Sequence, residues 1–278
     1  MRYFTALVNN RAMPGVTDGE QAVLFSEIME KPPADLLEWI KRGETLPSFN
    51  WTGSLDRFRL TAPIPQPAHD IICVGKNYKA HIEELGGSAD RPIPHYFSKR
   101  AHQVAGTGET VRGFFELDDR LDYEVELAVI IGKEARDVPA ERVWDHIFGF
   151  TILNDFSSRR LQNEHVQWYR GKSLDGYTAM GPWICSKELF DLPPDLRVTT
   201  HVNGELRQDA RTSLMIFGID ELVAELSQGI TLYPGDILAT GTPSGVGLGF
   251  DPPRYLKAGD TVILEIEGIG RLINRIEG

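Results

Sequence analysis

The sequence predicts a strand-dominated α+β protein, and three observations support this prediction. Short apolar or alternating segments, which are typical of strands, recur along most of the 278 residues. The few helical segments do not alternate regularly with them, which disfavours a doubly wound parallel sheet. The pair Asn203-Gly204 lies in the middle of an alternating stretch, residues 197–208, and favours a type I′ turn between antiparallel strands.

Residues 1–66 are predicted to form a small N-terminal α/β domain. Residues 3–8 and 57–61 alternate as strands do, and residues 34–41 have the pattern of a short amphipathic helix. The closely spaced prolines that follow predict an extended connector, because proline fixes φ and lacks an amide donor. A unit of about 60 residues is only marginally stable alone, so we expect it to pack on the larger domain, residues 67–278.

The larger domain is predicted to consist mostly of strands. Besides the hairpin, strand patterns occur at residues 70–75, 123–131, 151–155, 236–240 and 261–267. Helical patterns occur at residues 140–147 and 219–227.

The charge balance argues against two classes of partner. Acidic residues number 40 and basic residues 29, so the formal net charge of −11 disfavours both nucleic acid and anionic membranes. No apolar stretch approaches the roughly 20 residues of a membrane span. The first residues lack the pattern of a signal peptide, so we expect a cytoplasmic protein. Cys73 and Cys185 lie in apolar runs and are expected to be buried, without forming a disulfide or a zinc site.

The acidic excess is concentrated in residues 116–126, where six of the eleven residues are acidic and one is basic. Because successive strand side chains point to opposite faces, Glu124 and Glu126 share a face, with Cα atoms ~6.7 Å apart. Two buried carboxylates repel each other, and a divalent cation relieves that repulsion. With Asp155 as the third ligand, this oxygen-only set suits Mg²⁺ or Mn²⁺. The alternative is that both glutamates form the polar outer face of a half-exposed strand.

Three further features could support chemistry, and each has a simpler structural explanation. His81 and Glu84 are neighbours on a predicted helical turn, where the carboxylate would fix the tautomer of the histidine so that it can activate water. The alternative is a surface histidine that merely lies near acidic residues. Lys172 is predicted to lie in a loop, where it could stabilise negative charge or shuttle a proton, or be one more surface lysine. The glycine-rich residues 241–249 could bind a small carboxylate through backbone amides, or form only a tight turn. Their spacing fits no nucleotide site.

Taken together and in order, five segments of the sequence resemble the fumarylacetoacetate hydrolase family. They are VGKNYKAHIEE (74–84), LDYEVELA (121–128), GFTILNDFSSRRLQ (149–162), GKSLD with GPWI (171–175 and 181–184) and YPGDILATGTPSGVG (233–247). The resemblance runs from about residue 70 to the C-terminus. It implies a mixed β roll of the type of that family's C-terminal domain, a homodimer, and a mobile lid that carries the first segment.

The resemblance also implies roles for individual residues. The residues implied as ligands of Mg²⁺ or Mn²⁺ are Glu124, Glu126 and Asp155. The residues implied as catalytic are His81 and Glu84, which would activate water on the lid, and Lys172, which would stabilise or protonate an enolate.

A second set of implied residues contacts the substrate. Gln162 would orient water or substrate, and Thr242 would hold the substrate carboxylate with Arg159 nearby. The sequence departs from the family pattern in lacking a proline after Lys99 and in having Ala179 where many relatives have proline. Both departures bear on the identity of the substrate.

The activity implied by the resemblance is that of an enzyme acting on a small 2-oxo acid. Our first hypothesis is a metal-dependent hydrolase that cleaves a C–C bond in a β-diketo acid of the acylpyruvate type through a metal-stabilised enolate. The alternatives within the family are an oxaloacetate decarboxylase and an isomerase or hydratase of unsaturated 2-oxo acids in aromatic catabolism. A non-catalytic protein stabilised by a metal is the alternative from another class.

Overall fold

The chain folds into three β-sheets with short helices at their ends, and a computed structural model describes residues 1–88 and 93–278. The strands are β1 (Arg2–Val8), β2 (Arg11–Thr17), β3 (Gln21–Leu24), β4 (Gly53–Ser54), β5 (Arg59–Thr61), β6 (Ile71–Gly75), β7 (His95–Lys99), β8 (Val104–Ala105), β9 (Thr110–Arg112), β10 (Leu121–Asp122), β11 (Val125–Ile131), β12 (Ile147–Asp155), β13 (Ser157–Ser158), β14 (Thr178–Ser186), β15 (Arg197–Val202), β16 (Glu205–Arg211), β17 (Ile237–Ala239), β18 (Thr261–Ile266) and β19 (Gly270–Glu277). The α-helices are α1 (Phe25–Ile28), α2 (Leu36–Arg42), α3 (Lys79–Glu84), α4 (Arg159–Glu164), α5 (Tyr169–Lys172) and α6 (Ile219–Ser227). The 3₁₀ helices are Leu55–Arg57, Ala140–His146, Lys187–Leu189, Thr212–Leu214 and Gly247–Gly249.

The largest sheet is mixed and has twelve strands. Ten of them follow the order β4-β3-β2-β1-β14-β12-β11-β17-β6-β7, while β5 pairs with β1 and β8 pairs with β14. The second sheet has the order β16-β15-β18-β19-β9, and β10 pairs with β13 in a two-stranded ribbon. Most pairs are antiparallel, but β14 with β8, β17 with β6 and β19 with β9 are parallel. This is the strand-dominated α+β architecture that the sequence predicts.

Strand β11 lies at the centre of the large sheet and is buried on both faces. Val125 and Leu127 pack in a core that includes Leu264 of the second sheet. On the opposite face, Ile130 packs in a core with Trp39 of helix α2. A strand between two cores has no solvated face, so any charged residue that it carries must be satisfied inside the protein.

The first 61 residues contribute strands to the same large sheet. Strand β1 pairs with β14, with Arg2 opposite Cys185 and Tyr3 opposite Ile184. The N-terminal part therefore packs on the rest of the chain as expected. The domain boundary between residues 66 and 67 stays a prediction.

Several predicted elements are confirmed. Helices α2 and α6 occupy the predicted positions, and the hairpin of β15 and β16 turns at Asn203 and Gly204, whose φ values are 51° and 84°. Positive φ at both central residues is the signature of a type I′ turn. Cys73 and Cys185 are both free and buried, as predicted. In the part of the chain that the structure describes, no helix combines the length and the apolar composition needed to cross a membrane.

The helix predicted at residues 140–147 is present over all of its residues except the last, but it is not an α-helix. The segment Ala140–His146 is a 3₁₀ helix, and Ile147 begins strand β12, where it pairs with Ile131 of β11. Pairing in the sheet removes Ile147 from the apolar stripe that an α-helix would need, which leaves Val143 as the buried side chain of the segment.

We predict that Gly149→Ala destabilises the fold by about 2 kcal/mol or more, since small-to-large changes at packed positions cost about that much. Gly149 lies in β12 so close to β14 that an added Cβ would overlap the backbone carbonyl of Cys185. The measurement is the midpoint of urea unfolding followed by circular dichroism. The matched control is Gly53→Ala in β4, where an added Cβ meets only the flexible side chain of Arg57 at 3.0 Å. Equal midpoints for the two variants would contradict the prediction.

Candidate active site

A cavity of about 490 Å³ lies between the central strands, helix α3 and the glycine-rich loop, by which we mean residues 241–249. Eight of the nine predicted site residues line it: His81, Glu84, Glu124, Glu126, Arg159, Gln162, Lys172 and Thr242. The ninth, Asp155, is fully buried and lies beside Glu124 and Glu126. The structure thus brings all nine residues together, while their chemical roles stay predictions.

Two antiparallel strands bring the three predicted metal ligands together. Strands β11 and β12 pair with Glu126 opposite Leu153, and Asp155 is the last residue of β12. The amide of Asp155 donates to the carbonyl of Glu124 at 3.0 Å. One carboxylate oxygen from each of Glu124, Glu126 and Asp155 lies within 4.8 Å of the other two, and all three residues are buried. The alternative that the glutamates form an exposed strand face is therefore wrong.

The charges around this cluster are unevenly shared. Glu124 lies 2.6 Å from Nζ of Lys172 and 2.6 Å from Nη2 of Arg159, whereas no ion pair reaches Glu126 among the described residues. The Oε2 atom of Glu126 accepts a hydrogen bond of 2.8 Å from the amide of Gly241. Burial, together with the charges of Asp155 and Glu124, raises the pKa of Glu126 well above its ordinary value. Burial would raise the pKa of Glu124 as well, but Lys172 and Arg159 hold it below its ordinary value.

This donor set fits a divalent cation. Four buried carboxylates, those of Glu124, Glu126, Asp155 and Asp122, face three buried cations, those of Lys99, Lys172 and Arg159. Glu126 is the one of these carboxyl groups that has no cationic partner among the described residues, and the three clustered side chains offer only hard oxygen ligands, which suit Mg²⁺ or Mn²⁺ rather than zinc.

Two lysines contact Asp155 from different sides. Lys172 bridges Glu124 and Asp155, with Nζ 2.6 Å from an oxygen of each, and it lies on the short helix α5. Because it is 2% exposed, the alternative of a surface lysine is wrong. Burial alone would lower the pKa of Lys172, but Asp155 and Glu124 raise it above its ordinary value.

Sequence reasoning missed Lys99 as a member of the site. Lys99 ends strand β7, is fully buried, pairs with Asp155, and donates to the carbonyl of Phe156 at 2.9 Å. Burial lowers the pKa of Lys99 from its ordinary value, although the charge of Asp155 opposes that shift. A signal was available, because Lys99 follows the cavity-lining Phe97 by two positions and therefore shares its strand face.

The pair formed by His81 and Glu84 is buried against the glycine-rich loop. Helix α3 places Nδ1 of His81 2.7 Å from Oε1 of Glu84, and their side chains are only 6% and 16% exposed. The second oxygen of Glu84 accepts a hydrogen bond of 2.8 Å from the amide of Gly245. The alternative of two surface residues is therefore wrong for this pair.

Asp122 was also missed, and it anchors the glycine-rich loop. Its carboxylate accepts hydrogen bonds from the amides of Gly247 (2.6 Å) and Leu248 (2.9 Å) and from Nε of Arg159 (2.8 Å). Asp122 lies two residues before Glu124 within the acidic segment, so the same alternation that suggested Glu124 and Glu126 includes it. It holds Arg159 and the loop in a fixed relation.

The cavity also presents a side-chain amide. Nη1 of Arg159 donates to Oε1 of Gln162 at 3.0 Å. Because a guanidinium has no acceptor, the amide of Gln162 must present its oxygen to Arg159, which leaves its NH₂ group for another acceptor.

Comparison with known proteins places this fold and site in a family. Residues 70–277 match the family model described as fumarylacetoacetate (FAA) hydrolase C-terminal. The oxaloacetate tautomerase YisK of Bacillus subtilis is 49% identical over 243 residues, which cover 87% of this chain and 80% of that protein. A solved fumarylacetoacetate hydrolase from psychrophilic Exiguobacterium antarcticum has a TM-score of 0.92 at 41% identity and covers 100% of this chain and 99% of its own.

A second solved structure bears the name of a different activity. The 2-hydroxyhepta-2,4-diene-1,7-dioate isomerase of Mycobacterium marinum has a TM-score of 0.77 at 33% identity and covers 100% of this chain and 98% of its own. The family model spans most of the chain, and the fold agrees over the whole of it. The chain therefore belongs to the fumarylacetoacetate hydrolase family.

Proposed function

We propose that this protein is a divalent-metal-dependent enzyme that interconverts the keto and enol forms of a small 2-oxo acid of the oxaloacetate class. The observation that carries the proposal is the buried cluster of three carboxylates, with its uncompensated Glu126, in one cavity with His81 and Glu84. The relative that is 49% identical is an oxaloacetate tautomerase, which favours this reaction over others that pass through an enolate. The reaction removes a proton from C3 and adds one to the C2 oxygen, so it consumes no co-substrate.

The metal and the cationic side chains would share the work of holding negative charge. A Mg²⁺ or Mn²⁺ ion bound by Glu124, Glu126 and Asp155 would supply a Lewis acid that stabilises the enolate oxygen. Lys172, fixed between Glu124 and Asp155, adds a positive charge at the same wall of the cavity. The NH₂ group of Gln162 is a donor for a substrate oxygen.

His81 is the group that we propose to move the proton. A carboxylate can only accept, so Glu84 orients the Nδ1–H of the neutral ring toward itself and leaves Nε2 with its lone pair. The amide of Gly245 holds the other oxygen of Glu84, which fixes the direction of the pair. A base fixed in this way can take the proton from C3 of the keto form, and the imidazolium that results can give a proton to the C2 oxygen, which completes the enol.

The same pair supports a second candidate, our first hypothesis from the sequence. A base that is fixed by a carboxylate can also activate water to attack the distal carbonyl of an acylpyruvate, which would make the protein a C–C hydrolase. The solved relative from Exiguobacterium antarcticum bears the name of a hydrolase, which favours this candidate. Decarboxylation of oxaloacetate, and isomerisation or hydration of unsaturated 2-oxo acids, pass through related enolates. A homodimer and a cytoplasmic location remain part of the proposal.

One assay series separates these candidates. Purified protein with Mg²⁺ or Mn²⁺ is given the enol form of oxaloacetate, keto oxaloacetate and a set of acylpyruvates. Loss of the enol absorbance without release of CO₂ or pyruvate identifies a tautomerase, release of CO₂ a decarboxylase, and release of pyruvate from acylpyruvates a hydrolase. No turnover of any of them with either metal would overturn the proposal.

We predict that Glu126→Gln abolishes stabilisation by metal. Binding to the folded state raises Tm, so added Mn²⁺ is expected to raise the Tm of the wild type and not that of the variant. Without metal, the variant is expected to be at least as stable as the wild type, because it replaces a buried carboxyl group that has no cationic partner and lies beside two other carboxylates. Differential scanning calorimetry with and without Mn²⁺ makes both measurements. The exposed Glu141→Gln is the matched control, and an unchanged metal shift in Glu126→Gln would contradict this ligand assignment.

We predict that His81→Ala lowers kcat by roughly 10²–10⁴-fold, the range for loss of a general base. The metal-induced rise in Tm should persist, because His81 is not among the three clustered carboxylates. Steady-state kinetics on whichever 2-oxo acid is turned over fastest measure this loss, with His102→Ala at an exposed position outside the cavity as the control. Undiminished turnover by His81→Ala would rule out proton transfer by this residue.

A further inference from the structure

We propose that Gln208, which lies outside the predicted site, is a positioning residue that fixes the hydroxyl of Thr242 as a hydrogen-bond donor toward the cavity. Thr242 would then offer this donor to an acceptor of the ligand, such as a carboxylate oxygen. The inference rests on the proposed function in one respect, namely that the ligand is the carboxylate of a 2-oxo acid. Its support is a hydrogen-bond network in which each partner has a defined polarity.

The oxygen of the Gln208 amide faces strand β11. Gln208 lies in β16 and is fully buried. Its Oε1 accepts hydrogen bonds from the amide of Val125 (3.1 Å) and from the hydroxyl of Thr200 (2.8 Å). Because a backbone N–H can only donate, Val125 requires an oxygen at this position and sets the orientation of the side-chain amide. Val125 lies between Glu124 and Glu126, so the same contact ties Gln208 to the strand of the carboxylate cluster.

The nitrogen of the amide faces the glycine-rich loop. Nε2 of Gln208 donates to the carbonyl of Pro243 at 2.9 Å and to Oγ1 of Thr242 at 2.8 Å. A carbonyl can only accept, so Pro243 requires a nitrogen here and confirms the orientation set by Val125. All four hydrogen-bonding positions of the Gln208 amide are then used, and the amide cannot rotate without losing most of these bonds.

The backbones of the glycine-rich loop and of strand β16 lie so close together that the side chain of Gln208 can contact the loop. Gly245 has φ of 98°, and an added Cβ would overlap the carbonyl of Arg207, the residue before Gln208. Only glycine fits such an approach at this φ. The loop therefore packs directly on β16, within reach of a buried glutamine side chain.

The polarity of Thr242 follows from these contacts. Its oxygen accepts from Gln208, so its own proton must point to a different acceptor. Thr242 is 3% exposed and lines the cavity next to the carboxylate cluster. A buried hydroxyl with this arrangement offers its proton to an acceptor of the ligand, and a ligand with no acceptor there would leave that buried donor unsatisfied.

The test is Gln208→Glu, which keeps the shape of the side chain and removes the NH₂ group. If the new carboxyl is ionised, it has no proton to give. If it is protonated, it donates its one proton to the carbonyl oxygen of Pro243, because a carbonyl can only accept. In both cases the hydroxyl of Thr242 turns toward residue 208 and is lost to the ligand. We expect KM for oxaloacetate to rise about tenfold to a hundredfold, the loss of one hydrogen bond to a charged group, with kcat within about threefold.

A double-mutant cycle separates this role from simple destabilisation. Thr242→Val alone should raise KM to a similar extent, and Thr242→Ser should restore it. In the Gln208→Glu background, Thr242→Val should add less than about twofold, because the hydroxyl is already misdirected. Multiplication of the two effects on KM would overturn the inference. If Gln208→Glu does not fold, Gln208→Leu replaces it, since it also removes the donor that fixes the Thr242 hydroxyl, and a KM unchanged from that of the wild type would then overturn the inference.

A matched control perturbs the other side of the same amide. Thr200→Val removes one of the two donors to Oε1 and leaves the contact with Val125, so it should lower Tm and keep KM within about twofold. A KM increase in Thr200→Val as large as that in Gln208→Glu would overturn the inference.

Isothermal titration of oxalate in the presence of Mn²⁺ separates the two proposals. If the wild type neither binds oxalate nor turns over any 2-oxo acid, the proposed function is contradicted. If the wild type does both and Gln208→Glu has the same KM as the wild type, only the role of Gln208 is contradicted.

Discussion

Four backbone amides of the glycine-rich loop bind carboxylates of this chain, and most of the site depends on those hydrogen bonds. The pairs are Gly241 with Glu126, Gly245 with Glu84, and Gly247 and Leu248 with Asp122. Hydrogen bonds to an ionised acceptor are stronger than neutral ones, and glycine lets successive amides converge on anions. One loop thereby orients a candidate metal ligand, the partner of His81 and the anchor of Arg159, which belong to strand β11, helix α3 and strand β10 respectively.

The demand for this loop arises from the burial of β11 between two cores. A half-exposed strand would give its glutamates to water, but here Glu124 and Glu126 have no solvated face to turn to. The protein compensates Glu124 with Lys172 and Arg159, and Asp155 with Lys172 and Lys99. Among the described residues, Glu126 has no cationic partner and accepts a hydrogen bond from the amide of Gly241. A cation bound in the cluster would therefore balance the charge of its carboxylate.

How much the sequence could predict depends on the range of the interactions involved. Local alternation and turn chemistry were enough for the hairpin at Asn203 and for the shared face of Glu124 and Glu126. Strand β14 was missed because Gly181 and Pro182 interrupt its pattern, and its place in the sheet is set by pairing with β12 and β1. Residue roles drawn from the family resemblance named nine residues that lie together, but that reasoning missed Lys99, Asp122 and Gln208, whose importance comes from partners distant in the sequence.

The same arrangement explains why the substrate is hard to read from the sequence. The glycine-rich loop looked suited to binding a small carboxylate through its amides, yet four of those amides are occupied by the chain's own side chains. Recognition of a 2-oxo acid would then fall to a few side-chain donors, namely Thr242, Gln162 and Lys172, around a shared centre for enolate chemistry. Relatives with the same fold bear the names of a tautomerase, a hydrolase and an isomerase. The polarity of a few donors is easier to change than a buried charge network, and one fold can therefore serve different reactions.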